Sequence, residues 1–389
     1  MSTTASSTTQ SGDGWEFLSE DLRMTRELAQ RLARGVLAPT AAERDRTASW
    51  PTQELKALGD AGLMGILVPE ADGGAGMRFT AYCLVIEELA QADCGVSTIV
   101  HVHNTNLQAI ARHGTDAQKR RFLPEGVRGE RICAALLTEP QAGSDTAAFR
   151  TSARADGDGF VISGTKQFIS NGSEAGIALI HAITDPAAGK RGATFFVTDP
   201  RRSGYEVARV EDKMGQRSAH VAQIRLDDLR VRGDEVLGEV GGGYKIVMSM
   251  LSDGRVAIAA QAVGVAQAAL DAATRYARER IAYGRPIIEL QAVGHRLAEM
   301  AAQVAVARQY YLHAARLIEA GLPCAKEAAI AKLFASEMAE RVCSDALQVH
   351  GGYGYLRDFP VERYCRDVRV TKIYEGTSDI QRLIISRAL

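Results

Sequence analysis

The chain has 389 residues, 46% of them apolar, and its 46 Lys and Arg nearly match its 47 Asp and Glu, for a formal net charge of −1. That length exceeds what one hydrophobic core usually spans, so two or three domains are expected, and a near-neutral balance supplies no field to draw in nucleic acid or an anionic membrane surface. No unbroken apolar run reaches the ~18 residues of a membrane span, and six scattered cysteines without a C-x-x-C pair are expected to be reduced thiols in a cytoplasmic protein.

The opening MSTTASSTTQSGDG has neither the apolar segment of a signal peptide nor the arginines of a transit sequence, and residues 1–14 are expected to form a disordered tail. Over 15–133, helix-period apolar patterns alternate with short breaks. A first helix is expected to stop near Pro39, a second to run from Thr52 toward Pro69, and a third to follow the glycine-rich link ADGGAG. This gives an N-terminal helical domain. Over 134–243 the period becomes two: in HVAQIRLDDLRV, Ala222, Ile224 and Leu226 would face one side of a strand and Gln223, Arg225 and Asp227 the other. GFVISG, IALIHAIT and GATFFVT follow the same pattern, so a central β domain is expected. After Gly241, Gly242 and Gly243 helical periodicity returns over 244–389, where Val293, Leu297, Met300, Val304, Ala307 and Tyr311 lay one apolar stripe along a long helix of a bundle.

Several segments carry chemistry-bearing groups. LLTEPQAGSD, at the change from helix to strand, offers Thr138, Ser144 and Asp145 in a loop broken by Pro140 and Gly143, where backbone amides can cradle an anion or a polar ring edge. GTKQFISNG sets Phe168 and Ser170 on alternate positions before the turn dipeptide Asn171-Gly172. RERIAYGRPIIELQ leaves Arg280 and Arg285 near a helix end, where arginines can neutralise a pyrophosphate, while Arg278 belongs to a solvated face. LQVHGGYGY ends a helix at Gly351-Gly352. No G-x-G-x-x-G follows a strand pattern, which leaves a Rossmann site without support.

In order, LTEPQAGSD, FISNG, KMGQRSAH, LSDGR, RIAYGRPIIELQ, QVHGGYGY and IYEGTSDIQR resemble the acyl-CoA dehydrogenase family across nearly the whole chain after the tail. The resemblance implies a mainly α, multidomain α+β fold: an N-terminal helical domain, a central β-barrel-like domain and a C-terminal four-helix bundle, holding FAD between them. By this likeness the flavin ring would lie against Leu137, Thr138, Phe168, Ile169 and Ser170, with Gly143 and Ser144 nearby. Arg280, Gln291, Gln348, Gly351 and Gly352 would bind the FAD of a neighbouring subunit, and Thr377 and Asp379 would close over its pyrophosphate and ribityl region. At least a dimer is required, and the family is usually a dimer of dimers, so a homotetramer is implied. Ser144, Ser252, Asp253 and Arg255 would hold the CoA portion.

The likeness also assigns the carboxylate in IYEGTSDIQR. Glu375 would abstract the α-proton of an acyl-CoA thioester while flavin N5 takes the β-hydride, giving the trans-2-enoyl-CoA. Gly376 would leave room for the thioester to lie flat. Some relatives carry the base where this chain has Gly254, which cannot serve. Many read D-x-G-R where this chain has Ser252-Asp253-Gly254-Arg255, and Ala219-His220-Val221 replaces a small hydroxyl residue. Electrons would pass to an electron-transferring flavoprotein; a same-fold oxidase or monooxygenase using O2 and a non-catalytic acyl-carrier-binding scaffold are the alternatives. No metal is implied. Glutaryl-type relatives place an arginine near Ser97, which disfavours a dicarboxylate substrate. The helix STIVHVHNTN would floor the acyl pocket, with Thr98 and His101 on one face and His103 on another; His101 would then favour short or branched acyl groups.

Overall fold

The computed structural model describes Trp15 and residues 17–389, so the tail expected over 1–14 lies outside the described residues. The chain begins with α1 (Glu20–Leu32). The stop expected at Pro39 does not occur: a π turn (Ala33–Leu37) and a 3-10 turn (Ala38–Thr40) carry the chain directly into α2 (Ala41–Thr47). Pro39 sits in the first positions of its turn, where a missing N–H and a fixed φ cost little. The next helix, α3 (Thr52–Asp60), ends well short of Pro69. Gly62 turns left-handed at φ +77, and Gly65 lies so close to Val127 that a Cβ there would come within 2.6 Å of the valine Cβ. Three further helices follow, α4 (Phe79–Ala92), α5 (Cys94–His113) and α6 (Asp116–Val127). Asp93 caps α5 by accepting the Val96 N–H at 3.1 Å.

The central strands are β1 (Ile132–Leu136), β2 (Ser152–Asp156), β3 (Gly159–Ser170), β4 (Ala175–Ile183), β5 (Ala193–Thr198), β6 (Tyr205–Val210), β7 (Val221–Arg232) and β8 (Val236–Leu237). They form one sheet in the order β6-β7-β3-β2-β4-β5-β8, with β1 parallel to β4. Among the described residues the pairing of β2 with β4 is confined to Ser152 and Ile183, with Ile183 N–H donating to the Thr151 carbonyl at 2.8 Å. Strands on both sides of that junction contribute to a core that includes Ala134, Ile162, Ile180, Phe196 and Ile224. Ala222, Ile224 and Leu226 are buried as the alternation predicts. A bulge with Asp228 at φ +50 then shifts the buried positions of β7 to Leu229 and Val231.

The last third contains α7 (Gly243–Glu279), a hairpin of β9 (Ile281–Ala282) and β10 (Arg285–Pro286), α8 (Gln291–Glu319), α9 (Ala325–His350), α10 (Val361–Val368) and α11 (Ser378–Ser386). Leu297, Met300, Val304, Ala307 and Tyr311 are the buried stripe of α8. Helix α7 packs on α8 and α9 and also on α4, so the N- and C-terminal helices share one core. A Cβ on Gly264 of α7 would stand 2.3 Å from the Glu87 carbonyl of α4, which shows how closely the two backbones approach. Over an 18-residue window α7 is apolar enough to cross a bilayer, yet 83% of that window is buried inside the fold. Helices α4, α5, α7 and α9 thus converge beneath the loop that joins α10 to α11.

Candidate active site

That loop carries Glu375 at φ +53 and Gly376 at φ +90, two successive residues in the left-handed region. For a glutamate this conformation is unfavourable and persists only where surrounding contacts over-determine it. They do so here. Gln381 Nε2 donates to the Glu375 carbonyl at 3.1 Å and to the Gly376 carbonyl at 2.8 Å, and Lys332 Nζ donates to the same Gly376 carbonyl at 2.7 Å. On the other side Tyr374 O–H donates to Gln261 Oε1 and accepts from Gln216 Nε2 at 3.2 Å. Gln261 Nε2 donates to Thr98 Oγ1 at 2.9 Å, and Thr98 O–H donates to Gln216 Oε1 at 2.7 Å. A Cβ on Gly376 would meet Gln381 Nε2 at 2.8 Å, so glycine is required there for space within the chain as well as for φ.

The carboxylate of Glu375 rests over Gly254: a Cβ on that glycine would lie 2.7 Å from Oε2 and 3.1 Å from Oε1. Its company is more charged than its aliphatic sequence neighbours suggest. Burial lowers the Arg255 guanidinium and the nearby Glu375 charge partly restores it. Lys332 is lowered to about 8, mainly by burial, again against the pull of Glu375. His101 Nε2 is 3.5 Å from Glu375 Oε1, and its Nδ1 lies 2.8 Å from the Tyr82 hydroxyl.

Thr98 shares the His101 face of α5 but is committed to the glutamine network. His103 points elsewhere, between the Gly126 carbonyl at 2.9 Å and the Cys133 N–H at 3.0 Å, and burial pushes its imidazole down to about 4. Ser97 turns toward α4, donating to the Ile86 carbonyl at 3.1 Å. Three turns into α7, Asp253 is buried and engaged by Arg112 at 2.8 Å, with burial raising its carboxyl. Ser252 is half-buried and hydrogen-bonded to the Cys324 thiol. The polar pair expected for the CoA portion therefore has partners within the chain.

Across the end of β3, Phe168 is 65% exposed at φ +58. It stands beside the 137–145 loop, tied to it by Gln167 N–H donating to the Thr138 carbonyl at 2.8 Å. Fully buried Lys166 donates to the Leu137 carbonyl at 3.0 Å and to Glu139 at 2.9 Å, and Glu139 also accepts the Arg150 and Thr151 N–H groups. Burial alone would raise the Glu139 carboxyl, but Lys166 together with the Arg150 and Thr151 hydrogen bonds holds it down at about 2. Leu137, Thr138 and Ser170 are half-buried, Ser144 is exposed and Gly143 has open space where a Cβ would be. Ile169 is buried in the sheet core, so only its backbone borders the surface that Phe168 presents.

A second cluster forms far away. Arg280, Gly351, Gly352, Tyr276 and Tyr353 line a hollow of about 450 Å³, with the Arg280 guanidinium 5.6 Å from the Tyr353 ring centroid. Gln291 and Gln348 are exposed on the first turn of α8 and the last turn of α9. The 26 residues between Gly254 and Arg280 span about 39 Å along α7. The Arg280 hollow is therefore remote from the Glu375 site of the same chain. Thr377 caps α11 and is half-buried, whereas Asp379 is exposed and paired with Arg382 at 2.9 Å.

Both clusters fit FAD. An exposed, locked aromatic bordered by an open glycine loop suits a planar ring, and an arginine beside glycines with open space at each Cβ position suits a pyrophosphate. Sequence patterns missed Lys332, Gln381, Gln216, Gln261, Tyr82 and Arg112. A signal existed for Lys332, a lone cation in the alanine-rich AAIAKLFAS, fully buried in α9. His220, unexplained from sequence, bridges Glu174 Oε1 at 3.0 Å and the Ala48 carbonyl at 2.9 Å, which joins the sheet to α2.

Residues 19–130, 134–229 and 241–389 match the family models "Acyl-CoA dehydrogenase, N-terminal domain", "middle domain" and "C-terminal domain". The chain is 40% identical over 373 residues to an acyl-CoA dehydrogenase of Bacillus subtilis (strain 168), covering 96% of this chain and 98% of that one. It is 41% identical over 370 residues to the mitochondrial short-chain specific acyl-CoA dehydrogenase of Bos taurus, covering 95% and 90%. Among solved structures, a chain from "Electron transferring flavoprotein of Acidaminococcus fermentans: Towards a mechanism of flavin-based electron bifurcation" superposes with TM-score 0.94 at 39% identity, covering 95% of this chain and 98% of that one.

Proposed function

The chain belongs to the acyl-CoA dehydrogenase family and is an FAD-dependent oxidoreductase, and we propose that it oxidises an acyl-CoA thioester between Cα and Cβ with Glu375 as the base. One observation carries this: a carboxylate held on an over-determined left-handed loop, aimed over a glycine that leaves it room. Bound FAD supplies the hydride acceptor. Leu137, Thr138, Gly143, Ser144, Phe168 and the Ile169–Ser170 backbone would hold it, with Thr377 and Asp379 at its edge. The α-proton passes to Glu375, while Lys332 and Gln381 fix the Glu375–Gly376 peptide so that the base does not drift as charge develops. Arg255 and Lys332 keep the carboxylate in cationic surroundings.

Arg280, Gln291, Gln348, Gly351 and Gly352 would serve a neighbour's cofactor, which makes the working unit at least a dimer, and we take it to be a dimer of dimers. The reduced enzyme would pass electrons to an electron-transferring flavoprotein; the likeness to a chain in the A. fermentans structure supports this. His101, Tyr82 and the Arg112–Asp253 pair make the inner wall polar. A long alkyl tail packed against His101 would seal its Nε2 from water at a cost of roughly 1–3 kcal/mol, so short or branched acyl-CoAs are the expected substrates. Adding acyl-CoAs of increasing length anaerobically to the yellow holoprotein should bleach the flavin fastest with short or branched chains. Preferential bleaching by long straight chains overturns the substrate reading, and no bleaching by any acyl-CoA overturns the reaction.

A further inference from the structure

We infer that Tyr82 and His101 form a positioning dyad for the base: Tyr82 sets the tautomer of His101, and His101 Nε2–H holds the Glu375 carboxylate at Oε1. The inference rests on the proposed role of Glu375. Tyr82 is fully buried and His101 nearly so, and their 2.8 Å contact admits two arrangements. If Nδ1 carried the proton, the Nε2 lone pair would face the carboxylate, two acceptors opposed in a buried site. With Tyr82 O–H donating to Nδ1, the proton sits on Nε2 and the same contact becomes attractive. Among the described residues His101 Nε2 and Glu375 Oε2 are both buried without a hydrogen-bond partner. The Nε2 to Oε1 separation of 3.5 Å closes to a hydrogen bond with a small shift, as catalytic contacts do when ligand binds. The carboxylate is then fixed on two sides, at Oε1 by His101 and at Oε2 by its seat against Gly254.

Among the described residues, the charged and titratable groups that act on Glu375 are Tyr82 from α4, His101 from α5, Arg255 from α7, Lys332 from α9 and the adjoining Tyr374. Only the first two change in the test. Acetyl-CoA has α-hydrogens but no Cβ, so it cannot be dehydrogenated, yet its α-proton can pass to the Glu375 carboxylate with the C–H electron pair delocalised into the thioester. A solvent deuteron then returns to Cα. Mass spectrometry of acetyl-CoA held with the holoprotein in D2O reads this exchange without any redox step. The wild type should exchange. In His101→Leu and Tyr82→Phe the rate should fall about tenfold or more, and the acid limb of the rate-versus-pH profile should move upward by about one unit, because a hydrogen bond to the ionised form is lost. His101→Gln, whose amide can donate from a similar place, should recover most of the rate. Unchanged pH profiles in His101→Leu and Tyr82→Phe overturn the dyad alone, whereas a wild type that fails to exchange overturns the base assignment and the dyad with it. Should His101→Leu misfold, Tyr82→Phe decides, since it removes one oxygen and conserves the ring.

Discussion

Glu375 and Gly254 act as one unit at the scale of residues. The glycine's missing side chain is the carboxylate's seat, because any Cβ would stand within 2.9 Å of the Glu375 Cδ. Gly254→Ala should therefore separate stability from activity. Alanine in mid-helix favours α7 by about 1 kcal/mol, while pushing the base out of line should lower kcat by about 10- to 100-fold. Thermal melts and steady-state rates measured together check this, and unchanged kcat would show that the carboxylate works from another position. Much of this site was legible in the sequence because IYEGTSDIQR and LSDGR are local strings whose order is informative. The supports were not: Lys332, Gln261 and Gln216 are distant in sequence and meet Tyr374–Gly376 only through tertiary packing.

Among the elements, α5 is unusual in burying polar groups along much of its length, each answered by a different neighbour: Asn104 by Leu63 and Ile66, Thr98 by two glutamines, His103 by α6 and β1. Periodicity located the helix and separated the His101 face from the His103 face, since both depend only on the helical repeat. It could not name partners. It also misjudged Pro39 and the end of α3, where turn geometry and the close approach of Gly65 to Val127 override the apolar pattern. The neutral, buried His103 has a measurable consequence. Its value falls from 6.5 to about 4 on folding, so the unfolded chain binds more protons between those limits. Its stabilising contribution is complete above pH 6.5 and lost as pH drops toward 4. His103→Gln should thus be less stable than wild type at pH 7, and the difference in melting temperature should narrow from pH 6.5 to pH 4. A constant difference would mean that His103 takes up its proton as readily in the folded protein as in the unfolded chain.

Considered whole, the molecule separates the Glu375 site from the Arg280 hollow by about 39 Å along α7. Arg280 is accordingly expected to act across a subunit boundary. Arg280→Ala should lose FAD and assembly together, because the charge-assisted contacts tie one chain to the other's cofactor. Size-exclusion chromatography with flavin absorbance measures both, and a fully flavinated oligomer of normal size would contradict the assignment. The three-part layout was legible from changes of hydrophobic period, since helix and strand differ in repeat whatever the family. What joins the parts was not: α4 and α7 share one core, and His220 ties the sheet to α2.

The central claim is that Glu375 takes the α-proton, and anaerobic rapid mixing of Glu375→Gln holoprotein with butyryl-CoA tests it most directly. Glutamine conserves shape and removes only the proton acceptor. FAD content and butyryl-CoA binding should match wild type, while flavin bleaching slows at least ~10²-fold. Bleaching at a rate close to wild type would show that another group removes the proton.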